Sequence, residues 1–171
     1  EEQGKMTEEL RQQIMAAETQ VTVEDLYRPY RPKRRTRATI AKEKGLEPLA
    51  AFIMLQNAKE PLENTAQQYV SEEKDVKSAA DAIAGAKDII AESISDNADY
   101  RSWIRKTTMK KGKVTSTAKD SEAESVYEMY YEFEEPVPKL AGHRILALNR
   151  GEKEKFLTVK VEAPEDDILR Y

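Results

Sequence analysis

The sequence contains no cysteine and a single histidine, His143. Without cysteine the chain has no disulfide, no thiol nucleophile and no cysteine zinc site, and one histidine cannot form a histidine metal cluster. No nucleophile has a plausible base, because His143 stands alone. We therefore expect no catalytic residue, no metal and no cofactor.

Closely spaced glycines are also missing, since the 6 glycines are scattered singly and form no phosphate-binding loop. The many carboxylates lie in polar runs such as Glu72–Asp75 and Glu132–Glu135, which are typical of solvated surfaces. These absences together predict that the chain is not an enzyme.

Long apolar runs are absent, and 35% of the residues are charged. No stretch approaches the roughly 18 apolar residues that a membrane helix needs, and no signal-peptide pattern opens the chain. We expect a cytoplasmic protein with no membrane partner. The chain begins at Glu1, and its first methionine, Met6, lies in a polar stretch, so we expect it to be a segment of a longer protein.

Positive charge is concentrated in one place, although the formal net charge of the chain is −4. We call Arg28–Arg37 the basic segment; its cationic residues are Arg28, Arg31, Lys33, Arg34, Arg35 and Arg37. Pro29 and Pro32 fix their own φ angles and disfavour helix in the residues before them, which predicts a stiff, polyproline-like arm. A helix can start at Thr36 or Thr39 and close at Gly45, and Glu47 and Pro48 suit the first turn of the next helix.

Two interpretations of the basic segment stay open. Guanidinium groups bind phosphate oxygens bidentately, and a stiff arm loses little entropy on docking, which favours a nucleic-acid contact. Alternatively, the segment clamps acidic helices of the same chain, for instance at Glu8, Glu9, Glu72 and Glu73, or clamps another domain. Charge alone does not separate these alternatives, because an arginine pairs with a carboxylate as readily as with a phosphate.

A smaller basic cluster lies towards the C-terminal end of the chain and consists of Arg144, Arg150 and Lys153. We include these three residues among the candidate nucleic-acid contacts, although capping and packing are the commoner roles for such residues at helix ends. Trp103 lies on the apolar face of a predicted helix, which favours a packing role over base stacking.

Helical periodicity dominates the remaining pattern. It predicts helices over Thr7–Ala17, over the apolar run Leu49–Leu55, which we expect to be buried, and over Val76–Ile94. A capping-box pattern predicts a further helix from Ser121, with Tyr127, Tyr130 and Tyr131 on one face, and a short helix over Ile145–Asn149 should stop at Gly151. Phe156–Glu162 alternates as a strand does, and Val114–Thr117 is its only obvious partner.

The expected fold class is therefore mostly α, a multihelical domain with one or two short strands near the C-terminus. Residues 1–171 would form a single helical region with two lobes, 1–60 and 61–171.

Two stretches of the sequence also resemble those of a known family. The runs RPYRPKRRTRATIAKEKGLEPLA, from Arg28 to Ala50, and HRILALNRGEKE, from His143 to Glu154, resemble the signature stretches of the bacterial Tex family of transcription accessory proteins, in the same order. The opening EEQGKMTEELRQQI is similar to that family as well, so the resemblance covers essentially the whole chain.

This resemblance implies the N-terminal helical region of a Tex-like protein, a non-catalytic scaffold that binds RNA or DNA in transcription. It implies partners in the remaining domains of the same parent chain and in the transcription machinery. The alternative is a protein-protein or interdomain scaffold whose basic segment clamps other domains without touching nucleic acid.

Overall fold

Helices dominate the part of the chain that the computed structural model describes, namely residues 4–32, 34–57 and 60–171. The mostly-α prediction is confirmed. By contacts the chain separates into two units, Glu1–Arg101 and Ser102–Tyr171, so the division falls at Arg101 and not near residue 60. None of the helices in the described ranges is both long and apolar enough to cross a membrane.

In the described residues of the first unit, the regular elements are helices, with one isolated β-bridge between Ser71 and Val76. Its helices are α1 (Glu8–Met15), α2 (Gln20–Tyr27), α3 (Arg37–Glu43), α4 (Glu47–Met54), α5 (Leu62–Gln67) and α6 (Ala79–Asp96), and the next helix, α7 (Ala98–Lys111), begins in it.

Short polar side chains begin most of these helices, and at Thr7 and Thr36 the sequence predicts them. The hydroxyls of Thr7, Thr36 and Ser78 each accept a hydrogen bond from a backbone N–H in the first turn of α1, α3 and α6. Gly45 has φ +78°, the left-handed geometry that closes α3 and turns the chain into α4. The boundaries between these elements are therefore fixed by local sequence.

The core of the first unit joins α3, α4, α5 and α6 through small and aliphatic side chains. Its buried members are Ala38, Ala41, Leu46, Leu49, Ala50, Ala66, Val76, Ala82, Ala86 and Ile89. The apolar run Leu49–Leu55 is only partly buried, contrary to expectation: Met54 and Leu55 are 56% and 65% exposed. Only one side of α4 meets α3, α5 and α6, so the other side of this apolar helix remains at the surface.

The second unit combines α7 with a three-stranded antiparallel sheet in the order β2-β1-β3. Its elements after α7 are β1 (Lys113–Ala118), β2 (Glu132–Pro136), α8 (Gly142–Lys153), β3 (Leu157–Glu162) and α9 (Glu165–Arg170). The predicted strand and its predicted partner are both confirmed, with Thr115 opposite Lys160 in the register. Val114, Tyr127, Tyr130, Leu148 and Leu157 form the buried core.

The helix predicted from Ser121 is wrong. Residues 121–122 and 126–127 are turns, residues 123–125 have no regular structure, Glu128–Tyr130 is a single 3-10 turn, and Glu132 already starts β2. Pairing with β1 favours the strand, because alternation places Phe133 against the core while Glu132 and Glu134 are exposed. The capping-box spacing is real, but the long-range strand pairing overrides it.

The helix α8 is longer than predicted and passes through Gly151. A β-carbon at Gly151 would lie 2.6 Å from Cδ1 of Leu157 and 3.2 Å from Cδ1 of Tyr127. The glycine therefore permits close packing of α8 on β3 and does not end the helix. The helix ends at Lys153, and Lys155 takes the positive φ of +68° that turns the chain into β3.

Candidate nucleic-acid interface

The basic segment starts as a continuation of α2 and not as an extended arm. Arg28–Tyr30 is a 3-10 turn, and Arg28 itself is helical with φ −53° and ψ −43°. The predicted extended geometry is wrong here, because Arg28 is the last residue to donate its backbone N–H into α2, to the carbonyl of Glu24. Arg31 does take the extended geometry predicted before Pro32, with φ −66° and ψ 134°.

Arg28 is tied down by a largely buried carboxylate. Its Nε donates to Oδ1 of Asp96 at 3.0 Å, and the Asp96 side chain is only 12% exposed. A second ion pair also joins the end of α2 to the junction of α6 with α7, but here α2 supplies the aspartate. Nε of Arg101 donates to Oδ1 of Asp25 at 2.7 Å, and the Asp25 side chain is 7% exposed. Each region thus supplies one arginine and one aspartate, and Arg28 has the position expected of a clamp.

Arg35 and Arg37 have weaker partners. Arg35 contacts Glu43 at 2.8 Å, and Arg37 lies 3.8 Å from Asp88, with the two arginine side chains 68% and 87% exposed. Ion pairs at such exposure contribute about 0–1 kcal/mol, because water and salt screen them and ordering the side chains costs entropy. An incoming phosphate can therefore replace either carboxylate at little cost.

Arg31 and Arg34 are exposed, and neither side chain has an ion pair or hydrogen bond to another residue in the described part of the chain. Lys33, the sixth candidate in the basic segment, lies outside the described residues. Within the described ranges, the basic segment therefore offers two unoccupied guanidinium groups beside two that are only weakly held.

The end of the basic segment is anchored to α6. The hydroxyl of Thr36 accepts the backbone N–H of Thr39 at 3.1 Å and donates to Oε1 of Glu92 at 2.9 Å. Because Thr36 is both the cap of α3 and a partner of α6, it fixes the position from which Arg34, Arg35 and Arg37 project. The arginines are thus mounted on a folded surface.

The carboxylates that hold the segment are not those expected from the sequence. In the described part of the chain the predicted partners Glu8, Glu9, Glu72 and Glu73 form no ion pair with these arginines, whereas Glu43, Asp88 and Asp96 do. Asp96 lies in the run SISDNAD, just before α7, and its pairing with Arg28 was not predicted from the sequence. The capping role belongs to Asn97, whose side chain accepts the N–H groups of Asp99 and Tyr100.

The second basic cluster lies on α8 in the other unit. Arg144 donates from Nη1 to Oε2 of Glu135 at 2.7 Å, and its guanidinium carbon lies 5.8 Å from the ring centre of Phe133. It therefore joins α8 to β2. Arg150 and Lys153 are exposed, and neither has an ion pair to another residue in the described ranges. Of this cluster, Arg150 and Lys153 are the accessible cations.

Two aromatic residues that the sequence singled out have structural partners. Trp103 stacks on Tyr171 with ring centres 4.1 Å apart and an angle of 8° between the planes. Tyr127 is buried and donates from its hydroxyl to Oε2 of Glu154 at 2.8 Å. Burial, and then this hydrogen bond, raise the pKa of the Tyr127 phenol above its ordinary value. Tyr127 thus stabilises the second unit.

Comparison with known proteins identifies the class. A family model described as Tex central region-like matches residues 56–170, more than half of the chain. The chain belongs to the Tex family. The family prediction is thereby confirmed, and the matching model describes the central region of Tex, whereas the resemblance had indicated its N-terminal helical region.

Individual relatives match nearly the whole chain. YdcI of Bacillus subtilis is 51% identical over 99% of the chain, protein tex of Bordetella pertussis is 42% identical over 96%, and transcriptional accessory protein Tex of Neisseria gonorrhoeae is 36% identical over 98%. The chain covers only 24%, 21% and 22% of the lengths of these three relatives. It therefore spans about a quarter or less of each of them.

Proposed function

We propose that this chain is a non-catalytic, cytoplasmic scaffold region of a transcription accessory protein, and that its basic segment binds the phosphate backbone of nucleic acid. The observation that carries the proposal is the pair of unoccupied guanidinium groups, Arg31 and Arg34, beside the exposed Arg35 and Arg37. The name of the Neisseria gonorrhoeae relative, transcriptional accessory protein Tex, supports the setting in transcription.

Phosphate is the ligand that these side chains fit best. A guanidinium group presents parallel N–H donors to two phosphate oxygens, and its interaction with a doubly accepting anion is stronger than with a single solvated carboxylate oxygen. Binding through phosphates fixes position without reading sequence, so we expect affinity for RNA and DNA with little sequence preference.

Arg150 and Lys153 provide a further phosphate contact in the same proposal. They lie on the exposed side of α8, and Arg144, which pairs with Glu135, orients this helix on β2. Arg28 and Arg144 contribute less in this proposal, because each must leave a partly buried carboxylate before it can reach a phosphate.

A second candidate function is an interdomain or protein-protein scaffold in which the basic segment acts as a clamp. The contact between Arg28 and Asp96 favours it, since that arginine already has a buried carboxylate as its partner. Its partners would be the remaining domains of the parent chain or components of the transcription machinery.

Fluorescence anisotropy with labelled single-stranded RNA and double-stranded DNA tests the proposal. We expect the triple variant Arg34→Ala, Arg35→Ala, Arg37→Ala to bind both probes about tenfold or more weakly, because three phosphate contacts are lost. The matched control Lys119→Ala, Lys139→Ala, Lys160→Ala removes the same charge from exposed positions in the second unit and should bind within about threefold of the unaltered chain. Equal losses in the two variants, or no binding by the unaltered chain at low salt, would favour the clamp.

A further inference from the structure

An open groove of about 1010 Å³ runs along the first unit beside the start of the basic segment. Pro29, Tyr30, Arg31 and Pro32 line one part of it, and side chains of α3, α4 and α6, together with Lys5 and Asn97, line the rest. Arg34, Arg35 and Arg37 do not line it. The groove is therefore a surface feature separate from the three arginines that test phosphate binding.

The lining from α4 and α6 combines five apolar side chains with three carboxylates and Ser93. It includes Ala50, Ala51, Met54, Ile89 and Ile90. Ala50 and Ile89 are buried, whereas Met54 is 56% exposed although it lies in the most apolar run of the sequence. A flexible methionine at the surface of an apolar groove is typical of sites that receive apolar side chains of a partner.

The carboxylates that line the groove have partners within the chain, whereas two of its cations have no ion pair to the other described residues. All three of its carboxylates have partners in the chain: Glu47 pairs with Lys42 at 3.5 Å, Glu92 accepts from Thr36 at 2.9 Å, and Asp96 accepts from Arg28 at 3.0 Å. The cations Arg31 and Lys5 are exposed and have no ion pair to the other described residues. Arg31 and Lys5 are therefore the lining cations that can pair with an anionic group of a ligand.

We propose that this groove binds an acidic amphipathic helix of a partner protein. Apolar side chains at i, i+3 or i+4 and i+7 of that helix pack on Met54, Ala51 and Ile90, and its carboxylates pair with Arg31 and Lys5. This inference goes beyond phosphate binding and does not rest on it. Nucleic acid fits the groove poorly, because it has no apolar side chains to pack on Met54, Ala51 and Ile90.

Two labelled peptides test the inference by fluorescence anisotropy with the 171-residue chain. Both carry leucines at i, i+3 or i+4 and i+7; one carries glutamates on its other face, and the second carries lysines in their place. We expect the glutamate peptide to bind at least about tenfold more tightly than the lysine peptide, and its affinity to fall with added salt.

Single substitutions test whether the glutamate peptide binds in this groove. Met54→Gln should weaken the glutamate peptide about fivefold by removing an apolar contact, and Arg31→Gln should weaken it by a similar factor and reduce its salt dependence. Met109→Gln is the matched control, since Met109 is 62% exposed and lies in α7, outside the groove. It should bind the peptide as the unaltered chain does.

Three outcomes would overturn the inference: no preference for the glutamate peptide, equal effects of Met54→Gln and Met109→Gln, or displacement of the peptide by single-stranded RNA from the triple arginine variant, which would assign the groove itself to nucleic acid. The triple arginine variant keeps the two proposals apart. If it loses RNA but binds the peptide normally, both proposals hold, and if it binds RNA normally, only the phosphate proposal fails.

Discussion

Arg28 donates a hydrogen bond from Nε to Oδ1 of Asp96 at 3.0 Å, across 68 positions of sequence. Three residues before Arg28, Asp25 accepts the corresponding bond from Arg101 at 2.7 Å. The end of α2 and the junction of α6 with α7 are thus joined by two reciprocal ion pairs, to which each region contributes one arginine and one aspartate. These ion pairs neutralise both largely buried carboxylates, so part of the charge in and near the basic segment stabilises the first unit.

These ion pairs predict that the arginines of the basic segment differ in their effect on stability. Arg28→Ala should lower the free energy of unfolding by about 1–3 kcal/mol, because it removes the guanidinium donor from the largely buried carboxylate of Asp96. Arg31→Ala should change it by less than about 0.5 kcal/mol, since Arg31 is exposed and unpaired among the described residues. Urea unfolding followed by circular dichroism measures both. Equal destabilisation by the two variants would contradict the assignment of Arg28 as a clamp.

Two glycines of α8, Gly151 and Gly142, allow a matched test of how closely this helix packs on β3. Gly151→Ala should destabilise the second unit by about 1–3 kcal/mol, because the new methyl group would overlap the buried side chain of Leu157. Gly142→Ala, in the first turn of the same helix, meets no atom within 4 Å and should be neutral or stabilising by up to about 1 kcal/mol. Thermal unfolding of both variants checks this. If Gly151→Ala is as stable as Gly142→Ala, the close contact between α8 and β3 is wrong.

The phenol of Tyr127 predicts a loss of stability at alkaline pH. Its pKa is raised in the folded chain, first by burial and then by the hydrogen bond to Glu154, while in the unfolded chain it stays near 10. Its contribution is therefore fully present below about pH 10 and is lost as the pH rises through the higher folded value. Tyr127→Phe removes this titration.

Urea unfolding between about pH 8 and pH 11 measures the effect. The unaltered chain should lose more stability over this range than Tyr127→Phe does. Tyr27→Phe is the control, because Tyr27 is 46% exposed, and it should follow the unaltered chain. Parallel pH profiles for all three proteins would show that Tyr127 does not titrate as inferred.

Local sequence predicts most of the first unit, because its helix boundaries depend on residues close to them. Thr36 begins α3, Gly45 closes it, and Pro48 lies in the first turn of α4, all as expected. Strand β3 and its pairing with β1 are also predicted, because alternating residues mark both segments. These features need no knowledge of distant contacts.

The errors arise where distant residues decide the structure. The stretch around Phe133 has the spacing of a capped helix, yet pairing with β1 makes it a strand. Gly151 looks like a helix terminator, but the position of Leu157 makes it a packing residue within α8. The partners of the basic segment, Asp88 and Asp96, lie on α6 and become visible only when that helix packs beside α3. Which arginines stay unoccupied is therefore a property of the fold and not of the basic run.

The salt dependence of RNA binding tests phosphate recognition by the basic segment most directly. For single strands, the slope of log K against log salt changes by about 0.7 for each phosphate contact. Our account predicts a slope shallower by about 2 for the Arg34→Ala, Arg35→Ala, Arg37→Ala variant than for the unaltered chain, with an unchanged slope for the lysine control. Equal slopes for the unaltered chain and the arginine variant would show that these arginines bind no phosphate.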